Sequence, residues 1–465
     1  MLCWEVVDGR CCSVCRHFRF SRTRSLPVPF ATGLPAPLTF PLRKRSNAGM
    51  IGVVIVGAGL SGLVSALHLL DSGVSSDAVT IVDGRERVGG RLESHQGVDV
   101  GGAWCWTSAH HQMPALAQRF GVAHFLQYDK GVHVIDYGSQ ESGARIRQPL
   151  DSAKVRFQGG AAAVTDALAN YVRAKGVSIV LDCVVNKIST TDADAVLVEG
   201  VELGEARSWR AGAVLLAIPP RLILPPLMSW EPSLPAELAE AAGATPTWMA
   251  DTTKVLVTYQ RPFWRKQGLS GTGMGYGEGP INQLYDSCGP KGSETHALCG
   301  FIFGAGADLP GDDILRPWVI EQLERMFGAD ARSVLSFSSH RWGEQPLTSG
   351  NGGGTGGHED MGKLELRIPF GSGSQRGPPR VWLSAAETDA SHAGLMEGAL
   401  CAGKRVAEQV ILAGIVAPKQ NATAKGQEQA TCTASGGITP QANLRHAPYW
   451  PRCEIRTAAM PPPDL

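Results

Sequence analysis

The chain carries no net charge: 43 Lys and Arg balance 43 Asp and Glu over 465 residues. That excludes a globally basic nucleic-acid binder. Charged residues are scarce at 18% and aromatic ones scarcer at 7%, yet 43% of the residues are apolar. This is a globular balance rather than a disordered one. No second Cys pair at zinc spacing accompanies Cys12-x-x-Cys15, and His110, His111, His340 and His392 lack metal spacing, so no metal is expected. The cysteines number 11, an odd count, with Cys105, Cys183, Cys288, Cys299 and Cys401 scattered through the centre. That fits reduced, structural thiols in an intracellular protein. No apolar tail closes the sequence, and the one mostly apolar stretch of membrane length, residues 51–70, is broken by Gly52, Gly57, Gly59 and Gly62. No transmembrane segment is therefore expected. Glycine alone is abundant, at 56 residues, and has no three-residue period, which excludes collagen.

The zero total conceals three segments. Residues 1–49 hold eight basic side chains against Glu5 and Asp8, and no further acid occurs before Asp71. Two readings of this basic extension stand: an organelle transit peptide for a plastid or mitochondrion, or upstream sequence ahead of a natural start at Met50, which leaves a cytoplasmic protein. Residues 416–465, rich in Ala, Gln, Thr and Pro, read as a disordered tail. The part between them carries a net charge of −8.

Ile51-Gly52-Val53-Val54-Ile55-Val56 is a β-branched run of the kind a buried parallel strand requires. Gly57-Ala58-Gly59-Leu60-Ser61-Gly62 follows directly, then a helix through Leu63–Leu70, then a second strand, Val79-Thr80-Ile81-Val82, ending at Asp83. This is the Rossmann βαβ fingerprint in its required context. Gly57 permits the tight turn, Gly59 lets backbone approach a pyrophosphate, and Gly62 lets helix and strand pack closely. The helix N-terminus offers free N–H groups to the phosphates. Asp83, 26 residues after Gly57, is placed to accept bonds from ribose hydroxyls and to repel a 2′-phosphate. Gly84, Arg85, Gly89, Gly90 and Arg91 come next. A second glycine pair between arginines suits an extended FAD better than NAD. Gly101-Gly102-Ala103-Trp104 adds another pair where backbone can pass close to a flat ring.

At this point the sequence resembles the flavin-containing amine oxidase family. Further landmarks appear in family order: Phe157-Gln158-Gly159-Gly160, Leu215 to Pro220, Lys254 with Arg261-Pro262-Phe263-Trp264-Arg265, Trp342, Glu387, and Gly394-Leu395-Met396-Glu397-Gly398-Ala399. The resemblance implies an FAD cofactor, a small-molecule amine substrate and O2. It implies that Lys254 binds a water at flavin N5, and that Glu387 bonds the ribityl–phosphate region. It also implies that Val185 pairs by backbone with adenine, and that Met396 N–H with its helix dipole faces the pyrimidine. Read from the residues alone, Lys254 is an edge-strand lysine reaching solvent, and residues 177–188 and 394–412 are one strand and one helix.

Two departures bear on specificity. The family's aromatic cage is missing: Leu395 occupies one tyrosine position, and residues 346–354 contain no aromatic for the other. No cysteine lies between Cys299 and Cys401, so a non-covalent flavin is expected. Trp342, His392 and Leu395 remain as substrate-facing candidates, and the Gly-rich residues 350–357 as a loop beside the site. The expected fold is α/β: a discontinuous Rossmann-type FAD-binding domain (50–100, 150–220 and 340–412) with an α+β substrate domain (101–149 and 221–339). Three functions stay open: an amine oxidase, a flavin oxidase or desaturase acting on an apolar non-amine substrate, and a flavin-binding protein without turnover. Oligomeric state is left undetermined.

Overall fold

The computed structural model describes residues 45–46 and 49–417, apart from 139–143, 147–153, 193, 305–308, 351–355 and 372–376. The basic extension up to residue 44, the tail from residue 418 and most of the Gly-rich loop thus lie outside the described residues. The principal elements in chain order begin with β1 (Ile51–Val56), α1 (Leu60–Asp71), β2 (Val79–Val82), α2 (Gln112–Arg119) and β3 (Val132–Asp136). Then come α3 (Ala162–Ala174), β4 (Ser178–Val180), β5 (Cys183–Ser189), β6 (Val196–Glu202) and β7 (Glu205–Leu216). The later half supplies β8 (Thr252–Tyr259), β9 (Leu269–Gly275), β10 (Gln283–Asp286), β11 (Ala297–Phe303) and α4 (Asp312–Phe327). It closes with β12 (Val334–Arg341), β13 (Val381–Leu383) and α5 (Met396–Leu412).

The first sheet is doubly built. Strands β4, β2, β1 and β7 run parallel in that order, and β13 lies parallel to β7 on its far side. Val53–Val56, Ala213–Leu216 and β13 are all buried, as strands covered on both faces must be. Strand β7 is long enough to serve twice. Its first half pairs antiparallel with β6, which pairs antiparallel with β5. Its second half sits between β1 and β13. This mixed sheet is the expected Rossmann-type core.

Residues 177–188 are not one strand. Asp182, at φ 54°, turns the chain between β4 and β5, so the first pairs with β2 and the second with β6. Aspartate tolerates this left-handed conformation because its short side chain can bond locally. The last helix also starts later than the residue 394 read from the sequence. Gly394 has φ 76° and Leu395 is extended, so Met396 is the first helical residue.

Helices α1 and α5 pack backbone to backbone. A Cβ at Gly403 would stand 2.5 Å from the Ser61 carbonyl oxygen, and Ser65 Oγ donates to the Gly403 carbonyl at 3.1 Å. Glycine at 403 is what permits this approach.

The second sheet has the order β12-β8-β11-β10-β9-β3. Val255, Val257, Leu284, Leu298 and Ile302 cover one face and pack on Leu315, Val319, Leu323, Met326 and Phe327 of α4. By the two-residue strand period, the other face carries Lys254, Leu256, Cys299, Phe301 and Tyr285. That face meets the segment through Val98 to Trp104. Among the described residues no helix is long and apolar enough to cross a membrane.

Candidate flavin site

The turn after β1 is held by its own sequence. Gly57 has φ 110°, and a Cβ there would meet the Ala217 carbonyl oxygen at 2.6 Å. At Gly62 a Cβ would fall 1.9 Å from the Gly57 oxygen, so only hydrogen fits between turn and helix. Gly59 differs: nothing lies closer than 3.9 Å to the place of its Cβ. Its side is open, above a helix whose first internal bond runs from Leu63 N–H to the Gly59 carbonyl. The N–H groups of Leu60, Ser61 and Gly62 thus have no partner within the helix. The Ser61 hydroxyl donates to the Ser384 carbonyl, which leaves its backbone N–H for a ligand.

Asp83 is buried. Its Oδ2 accepts from Ala58 N–H at 2.7 Å and its Oδ1 from Arg85 N–H at 2.8 Å. The carboxylate therefore fixes the glycine turn, while each oxygen keeps a further lone pair. Beside it opens a cleft lined by Gly57, Asp83, Gly84, Arg85, Val185 and Ile218 among others. Arg85 donates to the Leu347 carbonyl and Thr348 Oγ1 across the cleft rim. Gly89 and Gly90 lie against the turn: Gly89 N–H donates to the Ala58 carbonyl, and the Gly90 Cα sits close to Gly59. Arg91 forms a two-pronged pair with Glu387, the second bond being 2.9 Å, and Glu387 is fully buried.

Lys254 is where the residue-only reading fails. Strand β8 is paired on both sides, by β11 and β12, and Lys254 is 6% exposed. It is an interior lysine. Its Nζ donates to the Gly101 carbonyl and lies 5.4 Å from the Trp104 ring centre and 4.9 Å from that of Phe301. Burial pushes its pKa below the ordinary lysine value. Trp104 in turn leans on Tyr285 at 5.0 Å and donates to Gln127 Oε1 at 2.8 Å. Sequence reasoning missed Phe301, Tyr285 and Gln127. Phe301 is the cross-strand partner of Lys254, which only the register reveals.

The Gly101-Gly102-Ala103-Trp104 segment also meets the start of α5. A Cβ on Gly102 would stand 3.5 Å from Met396 Cγ. Trp342 is buried and donates to the Val100 carbonyl at 2.9 Å. Leu395 is half-buried at the helix N-cap. Just before it, where sequence reasoning saw no aromatic, Trp248 lies against Gly394 and His358 against the Ala393 carbonyl, with their rings tilted and 3.7 Å apart at the centres. His392 is half-buried, its Nδ1 3.7 Å from Asp389 Oδ2, a pairing that raises its pKa. Its ring stands edge-on to His110 at 5.6 Å. Burial pushes His110 down to about 4. Asp389, His392 and Cys401 lie near one another, but Asp389 Oδ2 already accepts the Ser391 and His392 N–H groups and Cys401 Sγ accepts from Gln112. The thiols of Cys105, Cys183, Cys288, Cys299 and Cys401 are all buried, and none of the five is in a disulfide.

Glu397, in the first turn of α5, is buried and accepts from the N–H groups of His111, Gln112 and Met113 at 3.1, 2.9 and 3.2 Å. A carboxylate here satisfies the start of α2 and its dipole. Glu397→Gln is expected to lower stability by about 1–3 kcal/mol, read from denaturant unfolding; an unchanged midpoint would refute this role.

Residues 60–153 and 136–411 match the family described as "Flavin containing amine oxidoreductase". The chain belongs to this family. It is 23% identical over 77% of its length to "Probable flavin-containing monoamine oxidase A" of Dictyostelium discoideum, 97% of which is covered. It is 28% identical to "Amine oxidase [flavin-containing]" of Danio rerio over 66% of this chain and 57% of that one. Its fold is similar to that of a double mutant of putrescine oxidase, with a TM-score of 0.65, 21% identity, and 77% and 98% of the two chains covered. The same holds for cyclohexylamine oxidase from Brevibacterium oxydans, at 0.65, 20%, 78% and 99%. As a member of the flavin-containing amine oxidoreductases, the chain is an FAD-dependent oxidoreductase. Its residues fit that cofactor: an open glycine at a helix start for the pyrophosphate, a buried acid at the end of β2, and a cleft beside it.

Proposed function

We propose that the chain oxidises a small-molecule amine to an imine, which water then hydrolyses, with O2 as final acceptor and H2O2 as by-product. FAD, when bound, supplies the hydride acceptor and the reaction with O2. The protein binds and orients. In this reading Gly57, Gly59, Leu60, Ser61, Gly62, Asp83, Gly84, Arg85, Gly89, Gly90, Arg91, Val185 and Glu387 hold the cofactor, without a covalent link. Gly101, Gly102, Ala103, Trp104, Gly394, Leu395 and Met396 surround its ring, and Met396 N–H at the start of α5 stabilises negative charge there. Trp342, His392 and Leu395 face substrate. We assign residues 50–100, 150–220 and 340–412 to the cofactor domain and residues 101–149 and 221–339 to the substrate domain.

The observation that carries this reading is Lys254, an ammonium buried on one face of a sheet, directed at the Gly101 carbonyl and lying beside two aromatic rings. Burying such a group costs free energy, and orienting a water at the reacting face gives that burial a use. Lys254→Met is expected to retain FAD while slowing amine-driven flavin bleaching by roughly tenfold or more. Aerobic assay against a panel of amines tests the function itself; no peroxide from any of them would sink it. Leu395, aliphatic at the position of a cage aromatic, favours a second reading, oxidation of an apolar non-amine. Anaerobic bleaching by such substrates, and not by amines, would select it.

A further inference from the structure

Lys254 stands at the inner end of a polar line that leads to the surface. Its cross-strand partner on β12 is His340, so the two side chains share a face, with Cβ atoms about 5 Å apart. The imidazole rests against Trp342, ring centres 4.4 Å apart. Its Nε2 is buried and has no hydrogen-bond partner, a state that favours a bridging water or ligand. His95 stands edge-on at 6.2 Å. That residue is exposed, and its Nε2 lies 2.9 Å from Glu93, which Arg87 also holds. The charged and titratable groups facing His340 are therefore Lys254, Glu93, His95 and Arg87. Burial pushes the imidazole below its ordinary pKa, the nearby cations add to this, and Glu93 opposes it. His340 is thus neutral near pH 7 and able to accept a proton.

We propose that His340, with Glu93 and His95, is the route by which the proton of an incoming ammonium leaves the site. This rests on the amine reading above. In water an alkylamine is mostly protonated, whereas loss of hydride from its α-carbon requires the neutral nitrogen lone pair. One N–H bond of the ammonium breaks and its electron pair stays on nitrogen. The proton arrives, through water, on His340 Nε2. Glu93 offsets the charge of the imidazolium, and the proton then leaves His340, through water, to bulk solvent beside the exposed His95, which returns His340 to neutral. The steps consume no oxidant or reductant. His340 acts on the substrate through water and is a positioning residue.

Holoenzyme and its His340→Gln variant, at equal flavin occupancy, are mixed anaerobically with an amine from about pH 6 to about pH 10. The variant is expected to bleach about tenfold or more slowly near pH 7 and within about twofold of the parent near pH 10, where a substantial share of the amine arrives neutral. A deficit equal at every pH, or none near pH 7, overturns the route alone. Bleaching by no amine at any pH overturns the amine reading and the route with it. A second readout needs no substrate: NMR titration of the His340 ring in the holoprotein. Glu93→Gln is expected to lower its pKa further and Lys254→Met to raise it. A ring whose titration neither variant moves overturns the coupling on which the route depends.

Discussion

Gly59→Val is expected to yield a folded protein that purifies with less than about a tenth of the parent's flavin. The reasoning turns on a contrast among three glycines of one turn. At Gly57 and Gly62 an added Cβ would strike backbone oxygens at 2.6 and 1.9 Å, so substitution there damages the turn itself. At Gly59 the nearest atoms are 3.9 Å away, and the protein has room for a side chain. What a valine would occupy is the space above the free N–H groups of Leu60, Ser61 and Gly62, where a pyrophosphate needs bare backbone. Flavin absorbance per protein and far-UV circular dichroism separate the two effects. Full flavin content in Gly59→Val would remove the pyrophosphate from this turn. Loss of the circular dichroism signal along with the flavin would mean that the fold, not the ligand, needs this glycine.

Arg91→Met is expected to cost about 3–5 kcal/mol of stability, because it strands the fully buried Glu387 carboxylate. The loss belongs to the orphaned charge rather than to the strength of the pair. Arg91→Met combined with Glu387→Leu should therefore be more stable than Arg91→Met alone. Arg91→Lys keeps the charge but not the fork, and should fall between parent and Arg91→Met. Denaturant unfolding of the apoproteins measures all three without interference from cofactor. A double variant no more stable than the single one would show that the ion pair is not the origin of the loss.

The sequence makes the nucleotide turn legible because its determinants are local. Six residues of β1, three glycines and Asp83 lie within one βαβ unit, in the order and spacing that a dinucleotide turn requires. Helix α1 begins at Leu60, three residues before the Leu63 start read from the sequence, because the extended Gly59 caps it there. Lys254 shows the opposite case. Whether a lysine in an apolar strand reaches water depends on what pairs with that strand, and here the partners lie some 45 and 85 residues away, at Phe301 and His340. The same non-local register conceals Phe301 and His340 themselves, which bear no motif. The break between β4 and β5 escapes for a related reason. Val177 to Ile188 holds β-branched and aliphatic residues on both sides of Asp182, and a lone aspartate does not by itself mark a break; the change of partner from β2 to β6 requires the turn there. Trp248 and His358 come from separate segments and meet only in the fold.

Strand β7 sets the order in which this protein can be made. It carries the hydrogen bonds that join the parallel strands to the antiparallel ribbon, so the two do not form one sheet until residues 205–216 are in place. Even then β7 lacks a neighbour along its far edge until residues 381–383 arrive, and α1 lacks its packing partner until α5. Contacts of such sequence separation close slowly. On the ribosome, the turn written at residues 57–62 is synthesised among the first parts of the domain and completed among the last. For most of translation the far edge of β7 and one side of α1 wait, uncovered, for a C-terminal third that has not yet emerged.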